Sequence, residues 1–272
     1  TLGETGQWRG EIWNRRKNGE VYPEWLTISA IRNEKGLVTH YAALFSDVTE
    51  QKATEERIHR LAFYDALTGL PNRPMLEDHL RLALSSARRQ QKTAALMFLD
   101  IDHFKQINDS MGHGTGDLLL KETAQRILSC VREGDTVSRM GGDEFVILLP
   151  DCGEISSGIA SGAVSVAEKI QASLARSVHL SGHEVSITSS IGIALYPADA
   201  LNGTDLVKHA DIAMYHAKSQ GRNNFQFYTV EMNEALMERL SLERAMKKAI
   251  AENQFRLYYQ PRIDLASGRI VG

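Results

Sequence analysis

Acidic side chains at the end of an apolar run are the first residues here with chemistry to offer. Ala94-Ala-Leu-Met-Phe-Leu-Asp100-Ile101-Asp102 is an uncharged stretch that closes on two carboxylates. A buried strand ending in paired Asp needs a reason, because an unpaired buried carboxylate is costly. Capping of a following helix by Asp102 is one such reason, and taken alone the feature favours it. A second acidic pair alters that balance. Val137-Ser-Arg-Met-Gly141-Gly142-Asp143-Glu144-Phe145-Val-Ile-Leu-Leu149 has apolar arms around a Gly-Gly turn, the pattern of a hairpin. The glycines leave a ligand room to approach, and two acids lead straight into a hydrophobic strand. A polar hairpin tip would explain the glycines and one acid, but not both acids. A strand ending in Asp100 and a hairpin presenting Asp143 can face each other across a sheet. Hard oxygen ligands of this kind suit Mg2+, which keeps waters and takes its remaining ligands from substrate phosphates. Two such ions can activate a hydroxyl and neutralise a leaving pyrophosphate.

The elements that must hold these acids follow from the pattern around them. From Asp65 to about Tyr228 the chain reads as α/β. Helices are expected at about 73–90, 116–131, 162–178 and 204–219, and strands at 94–101, 137–140, 145–149 and 186–196. Residues 1 to about 48 read as β structure, with strands at 21–31 and 38–45 and a turn at Lys17-Asn18-Gly19. So small a sheet is not stable alone, which predicts further strands or a docking partner. Residues 50–64 read as an exposed helix with a thin apolar seam through Ala53, Ile58 and Leu61-Ala62. A pairing coiled coil and a solvated linker account for that seam equally well. A further helix at about 231–253 leads into Phe255-Arg-Leu-Tyr-Tyr-Gln-Pro-Arg-Ile-Asp-Leu265, read as a strand that stops at Gly272.

Composition narrows the partners. The 272 residues are 43% hydrophobic and 24% charged with a net charge of −3, an ordinary globular balance. No basic stripe points to nucleic acid. Cys130 and Cys152 have no metal-ligand spacing and read as thiols in a reducing compartment. The longest apolar run, 94–99, is too short to span a bilayer, and no signal peptide opens the chain. These residues are expected to be cytoplasmic, with the location of the parent protein left open because Thr1 is not an initiator methionine.

Four motifs in order resemble the GGDEF diguanylate cyclases. They are Asp65-Ala-Leu-Thr-Gly-Leu-Pro-Asn-Arg73, Phe98 to Asp109 with Gly112-His-Gly-Thr-Gly-Asp117, the signature Gly141-Gly-Asp-Glu-Phe145, and Ala210 to Lys218 with Gly221-Arg-Asn223. The resemblance implies an α/β (α+β) domain over 65–230. Its central sheet would be mostly antiparallel and flanked by helices, as in nucleotide-cyclase or palm-like folds. It implies two Mg2+ (or Mn2+) ions per active site, held by Asp100, the Ile101 carbonyl and Asp143. Glu144 is the neighbouring acid, with a share in the second metal, and Asp143 is the candidate acceptor of a 3′-hydroxyl proton. Asn108 and Asp117 resemble the guanine-binding residues and His113 a substrate-binding one. Backbone N–H groups of His103-Phe104-Lys105, beginning a helix, could meet phosphate. So could Lys218 and Arg222, read as lying four apart on one helical face. Arg132-Glu-Gly-Asp135 has the offset of the family's inhibitory RxxD site for cyclic di-GMP, with an i,i+3 ion pair as the plainer account.

The resemblance implies condensation of two GTP into cyclic di-GMP and two pyrophosphates by a homodimer. A domain that only binds GTP or cyclic di-GMP and regulates a neighbouring EAL phosphodiesterase is the alternative. The flanks carry resemblances of their own. Trp8, Gly10-Glu11, Trp13 to Glu20, Tyr22-Pro23 and Asp47-Val48-Thr49 resemble the C-terminal half of a PAS sensor domain, over 1–48. Residues 49–64 would be a linker helix. Leu242 to Pro261, within 231–272, resembles the start of an EAL domain.

Overall fold

A computed structural model of the chain describes residues 2–154, 161–180 and 182–271. The chain forms two compact units, Thr1–Leu76 and Glu77–Gly272. The first opens with a short helix, α1 (Leu2–Thr5), followed by strands β1 (Gln7–Arg15), β2 (Val21–Arg32) and β3 (Val38–Asp47). These form an antiparallel sheet in the order β1-β2-β3. Glycines 19 and 36 sit at positive φ in its two connections, where a side chain would be strained. Burial is sparse: Trp13 is 66% exposed and Leu44 76%. Helix α2 (Thr49–Phe63) follows, and none of its side chains is buried. Its seam residues Ile58 and Leu61 are exposed. Helix α3 (Arg73–Gln90) starts where expected and runs into the second unit.

The second unit is built on a sheet whose central strand is the apolar run of the sequence, β4 (Ala94–Ile101). Every residue of β4 is buried. Successive side chains point to opposite faces, so both faces of the sheet must be covered. Helices α4 (Phe104–Met111) and α5 (His113–Cys130) follow, then the hairpin strands β5 (Thr136–Gly141) and β6 (Glu144–Leu149), then α6 (Ser161–Leu174). A small ribbon, β7 (Val178–Leu180) with β8 (His183–Val185), precedes β9 (Ser189–Tyr196), α7 (Gly203–Ser219), β10 (Phe225–Phe227) and α8 (Val230–Ala251).

The strand order is β10-β9-β4-β6-β5. Only the β10–β9 pair is parallel, so the sheet is mostly antiparallel. Gly192 brings α7 tightly onto β9. A Cβ there would stand 2.0 Å from both the Ala210 carbonyl oxygen and the Met214 nitrogen. Beside that contact, His209 of α7 stacks on Tyr228 with ring centroids 4.1 Å apart.

The expected strand over 255–265 does not form. A strand needs hydrogen-bonding neighbours along its length, and here the described residues provide only an isolated bridge between Ile263 and Ile270. Tyr258 and Tyr259 are almost fully exposed. Gly272, where that strand was expected to stop, lies outside the described residues. No helix among the described residues is long and apolar enough to cross a membrane.

Candidate active site

The register of the sheet brings the two acidic stretches together. Asp100, next to last in β4, pairs with Glu144 at the start of β6 and with Ser190 of β9. Asp143 occupies the turn just before Glu144, and Gly141 and Gly142 both take positive φ. The two glycines thus close a tight turn that delivers two half-buried acids beside the end of β4. Asp100 itself is 7% exposed. Burial pushes its carboxyl up to about 6. The Lys218 ammonium opposes that rise, while the neighbouring charges of Asp143 and Asp102 add to it. Lys218, in the last turn of α7, sets its Nζ 2.7 Å from Asp100 Oδ2. Ile101 is buried at the strand end.

Asp102 has a different task from helix capping. The residue before α4 is His103, with left-handed φ of 61° and, among the described residues, no side-chain capping bond. Asp102 is 4% exposed and accepts from the hydroxyls of Thr188 and Ser190, each at 2.7 Å. It also accepts from the Asn223 N–H at 3.1 Å. One carboxylate therefore ties β9 and the loop after α7 to the end of β4. Asp102→Ala should leave all three donors without that acceptor and lower the unfolding free energy by roughly 2–4 kcal/mol. Urea denaturation tests this, and an unchanged midpoint would mean that Asp102 carries no structural load.

The loop it holds corrects one expectation. Helix α7 ends at Ser219, and Arg222 lies beyond it at φ 64°. Lys218 and Arg222 therefore do not share a helical face. Arg222 instead stands exposed in the loop that Asp102 anchors through Asn223.

On the other side of Asp102 the chain turns at His103 into α4. By helix geometry, the N–H groups of Phe104 and Lys105 have no intrahelical acceptor and can meet an anion. Phe104 is buried, whereas His103 and Lys105 are exposed. Gly112, at φ 83°, reverses the chain into α5, and His113 is exposed at its first position. Asn108 of α4 packs against Gly116 of α5, where a Cβ would lie 1.8 Å from Asn108 Oδ1. That oxygen is buried and has no hydrogen-bond partner among the described residues, an arrangement open to a ligand donor. Asp117 is the next residue of α5 and is exposed. It falls past the first turn, so the helix dipole does not explain it.

Arg132 and Asp135 lie elsewhere, in the turn between α5 and β5. They form the i,i+3 pair, with Arg132 Nε 3.3 Å from Asp135 Oδ1. The Arg132 guanidinium also donates to the Asp151 carbonyl. They border a cleft of about 590 Å³ with Cys152, Ser165 and Lys169. Strand β5 runs from this turn to Gly141, which separates the two sites by roughly 15–20 Å of extended chain.

Among the described residues no group of three or more His, Cys, Asp and Glu side chains is gathered to hold a metal ion, but the chemistry around Asp100 suits a hard divalent cation. The donor set there consists of oxygen only, is acidic and partly shielded, and already draws an ammonium group. Sequence reasoning missed Thr188, Ser190 and Asn223 as the partners of Asp102. The available signal was Thr188-Ser-Ser190 opening an otherwise apolar strand.

A family model described as "Diguanylate cyclase, GGDEF domain" matches residues 62–224. The bifunctional diguanylate cyclase/cyclic di-GMP phosphodiesterase MucR of Pseudomonas aeruginosa is 43% identical over 221 residues, covering 81% of this chain and 31% of MucR. The chain spans less than half the length of MucR and similar curated relatives, from 26% to 42% of each. The solved GGDEF domain of TpbB from P. aeruginosa superposes with a TM-score of 0.60 at 41% identity, over 64% of this chain and 99% of that one. The coiled coil and GGDEF domain of DgcB from Caulobacter crescentus, solved in complex with c-di-GMP, gives 0.58 at 30% identity, over 66% and 93%.

Proposed function

Because the chain belongs to the GGDEF family, we propose that it joins two molecules of GTP into cyclic di-GMP and releases two pyrophosphates. The observation that carries this reading is the meeting of Asp100 with the Asp143–Glu144 turn under the Lys218 ammonium. Mg2+ or Mn2+, two per site, would be held by Asp100, the Ile101 carbonyl, Asp143 and Glu144, supplying positive charge to the triphosphate and lowering the pKa of the attacking hydroxyl. The chain's own groups do the rest. Asn108 and Asp117 hold guanine by its amide edge, and His113 lies at the entry of the same helix pair. Phe104 and Lys105 N–H groups, Lys218 and Arg222 bind phosphate oxygens. Asp143 accepts the 3′-hydroxyl proton as its oxygen attacks the α-phosphate. Positioning and electrostatic stabilisation account for most of the acceleration.

Each domain holds one GTP in this scheme, so two copies must face one another to close a symmetric product, and activity requires a homodimer. Arg132 and Asp135 would bind accumulated cyclic di-GMP and slow the reaction. For that, the present ion pair must open towards the ligand. Residues 1–48 are read as part of a PAS sensor, 49–64 as a linker helix, 65–230 as the cyclase domain and 231–272 as a linker and the start of an EAL domain.

The test is chromatography of GTP incubated with Mg2+ and the protein, with and without added cyclic di-GMP. Cyclic di-GMP as product, with specific activity falling on dilution, is the expected result. Binding of GTP without turnover would leave the regulatory alternative in its place. The guanine subsite has its own check. Gly116→Ala would push the Asn108 amide away, raising KM for GTP roughly tenfold through a lost hydrogen bond while kcat changes little. Steady-state kinetics read this directly, and a parental KM would remove Asn108 from the subsite.

A further inference from the structure

Asp100 already carries a cation. Lys218 Nζ lies 2.7 Å from its Oδ2, with the two side chains only 29% and 11% exposed. The lysine comes from the last turn of α7 and the carboxylate from the end of β4, two elements packed on one another through the buried sheet. Their meeting is therefore fixed by the core and is not a loose surface pairing. One ammonium cannot neutralise Asp100 and bind a phosphate oxygen with full strength at the same time. A divalent ion arriving at Asp100 in the nucleotide-free protein must displace that ammonium or bear its repulsion at close range.

From this geometry we propose that Lys218 is a placeholder counter-cation on Asp100, which makes divalent-ion binding follow the arrival of a nucleoside triphosphate. The proposal rests on reading Asp100 as a metal ligand. A triphosphate offers the lysine a second anionic partner, and its flexible four-carbon stem can cross to it without backbone movement. Asp100 is then released for the ion that accompanies the phosphates. Nucleotide and metal become positively coupled through one side chain, each favouring the other. Lys218 would act twice, first holding the carboxylate and then the phosphate.

The experiment is titration of Mn2+ alone into nucleotide-free protein, following free ion by its paramagnetic resonance signal. It compares the parent, Lys218→Met and the double variant Lys218→Met/Asp100→Asn. Lys218→Met should bind Mn2+ at least about tenfold more tightly than the parent, and the double variant should lose that gain. A GTP analogue with methylene in place of the α–β bridging oxygen should tighten Mn2+ binding far more in the parent than in Lys218→Met. Lys218→Gln serves as a second variant, and circular dichroism checks that each is folded. Equal or weaker Mn2+ binding by both lysine variants would overturn the placeholder role, as would a gain that survives removal of Asp100. GTP turnover by the same parent preparation separates the two readings. A parent that makes cyclic di-GMP, with lysine variants of unaltered Mn2+ affinity, sinks the placeholder alone. Absence of turnover, together with Mn2+ binding indifferent to Asp100→Asn, sinks the proposed site itself.

Discussion

Asp100→Asn should eliminate cyclic di-GMP formation, by roughly a thousandfold or more, yet leave the metal-free protein at least as stable as its parent at neutral pH. The loss follows from removing an anionic oxygen from the divalent-ion site, where each such interaction acts on charge that develops during phosphoryl transfer. The stability follows from the same burial. Asp100 titrates at about 6 instead of 3.8, so the folded chain holds its proton between about pH 4 and 6 while the unfolded chain has released it. The resulting stability is fully present below the unfolded value and lost as pH rises through 6. Above that, the charged group costs the metal-free fold on the order of 3 kcal/mol. Asparagine does not titrate. The difference in unfolding free energy between variant and parent should therefore grow from pH 4 to 7 and then level off. Mg2+ added together with a GTP analogue should raise the melting temperature of the parent more than that of the variant. A variant less stable than the parent at every pH would show that Asp100 is not held against its electrostatic preference.

The second large effect lies in the packing of α7. Gly192→Ala should lower the unfolding free energy by roughly 3 kcal/mol or more. The added methyl would meet the Ala210 carbonyl and Met214 nitrogen at 2.0 Å and Ala213 carbonyl carbon at 2.7 Å. These are backbone atoms of a helix, so no side-chain rotation relieves them and α7 must move as a body. Because α7 carries Lys218, nucleotide affinity should fall along with stability. Urea midpoints and GTP-analogue binding measure the two losses. A parental midpoint would mean that the helix has slack against β9.

Much of this was legible in the sequence, for reasons particular to each segment. Residues 94–101 read as a strand because an apolar run that short, ending in Asp, suits a strand covered on both faces, and β4 has those bounds. The Gly141-Gly142 turn carried its own hairpin signal, and α3 kept helical periodicity through to Gln90. Long-range partners were not legible. Asp102 and Ser190 are 88 residues apart, and nothing local marks that contact, so helix capping was the better local account. Arg222 looked helical by spacing alone, but the helix stops at Ser219. Residues 225–227, just three positions, are strand only because β9 lies alongside. The run 255–265 has strand composition, but among the described residues only the isolated Ile263–Ile270 bridge pairs with it.

That short parallel strand bears on where a recombinant version of the second unit can be trimmed. The Ile191 N–H donates to the Asn224 carbonyl and the Tyr228 N–H to the Ile193 carbonyl, so residues 224–228 shield one margin of the sheet. A gene fragment stopped at Asn224, where the family match ends, would strip that margin bare and remove the ring that lies flat on His209. Unpaired strand margins invite self-association. Extending the fragment through Tyr228 keeps the margin closed with only four more residues.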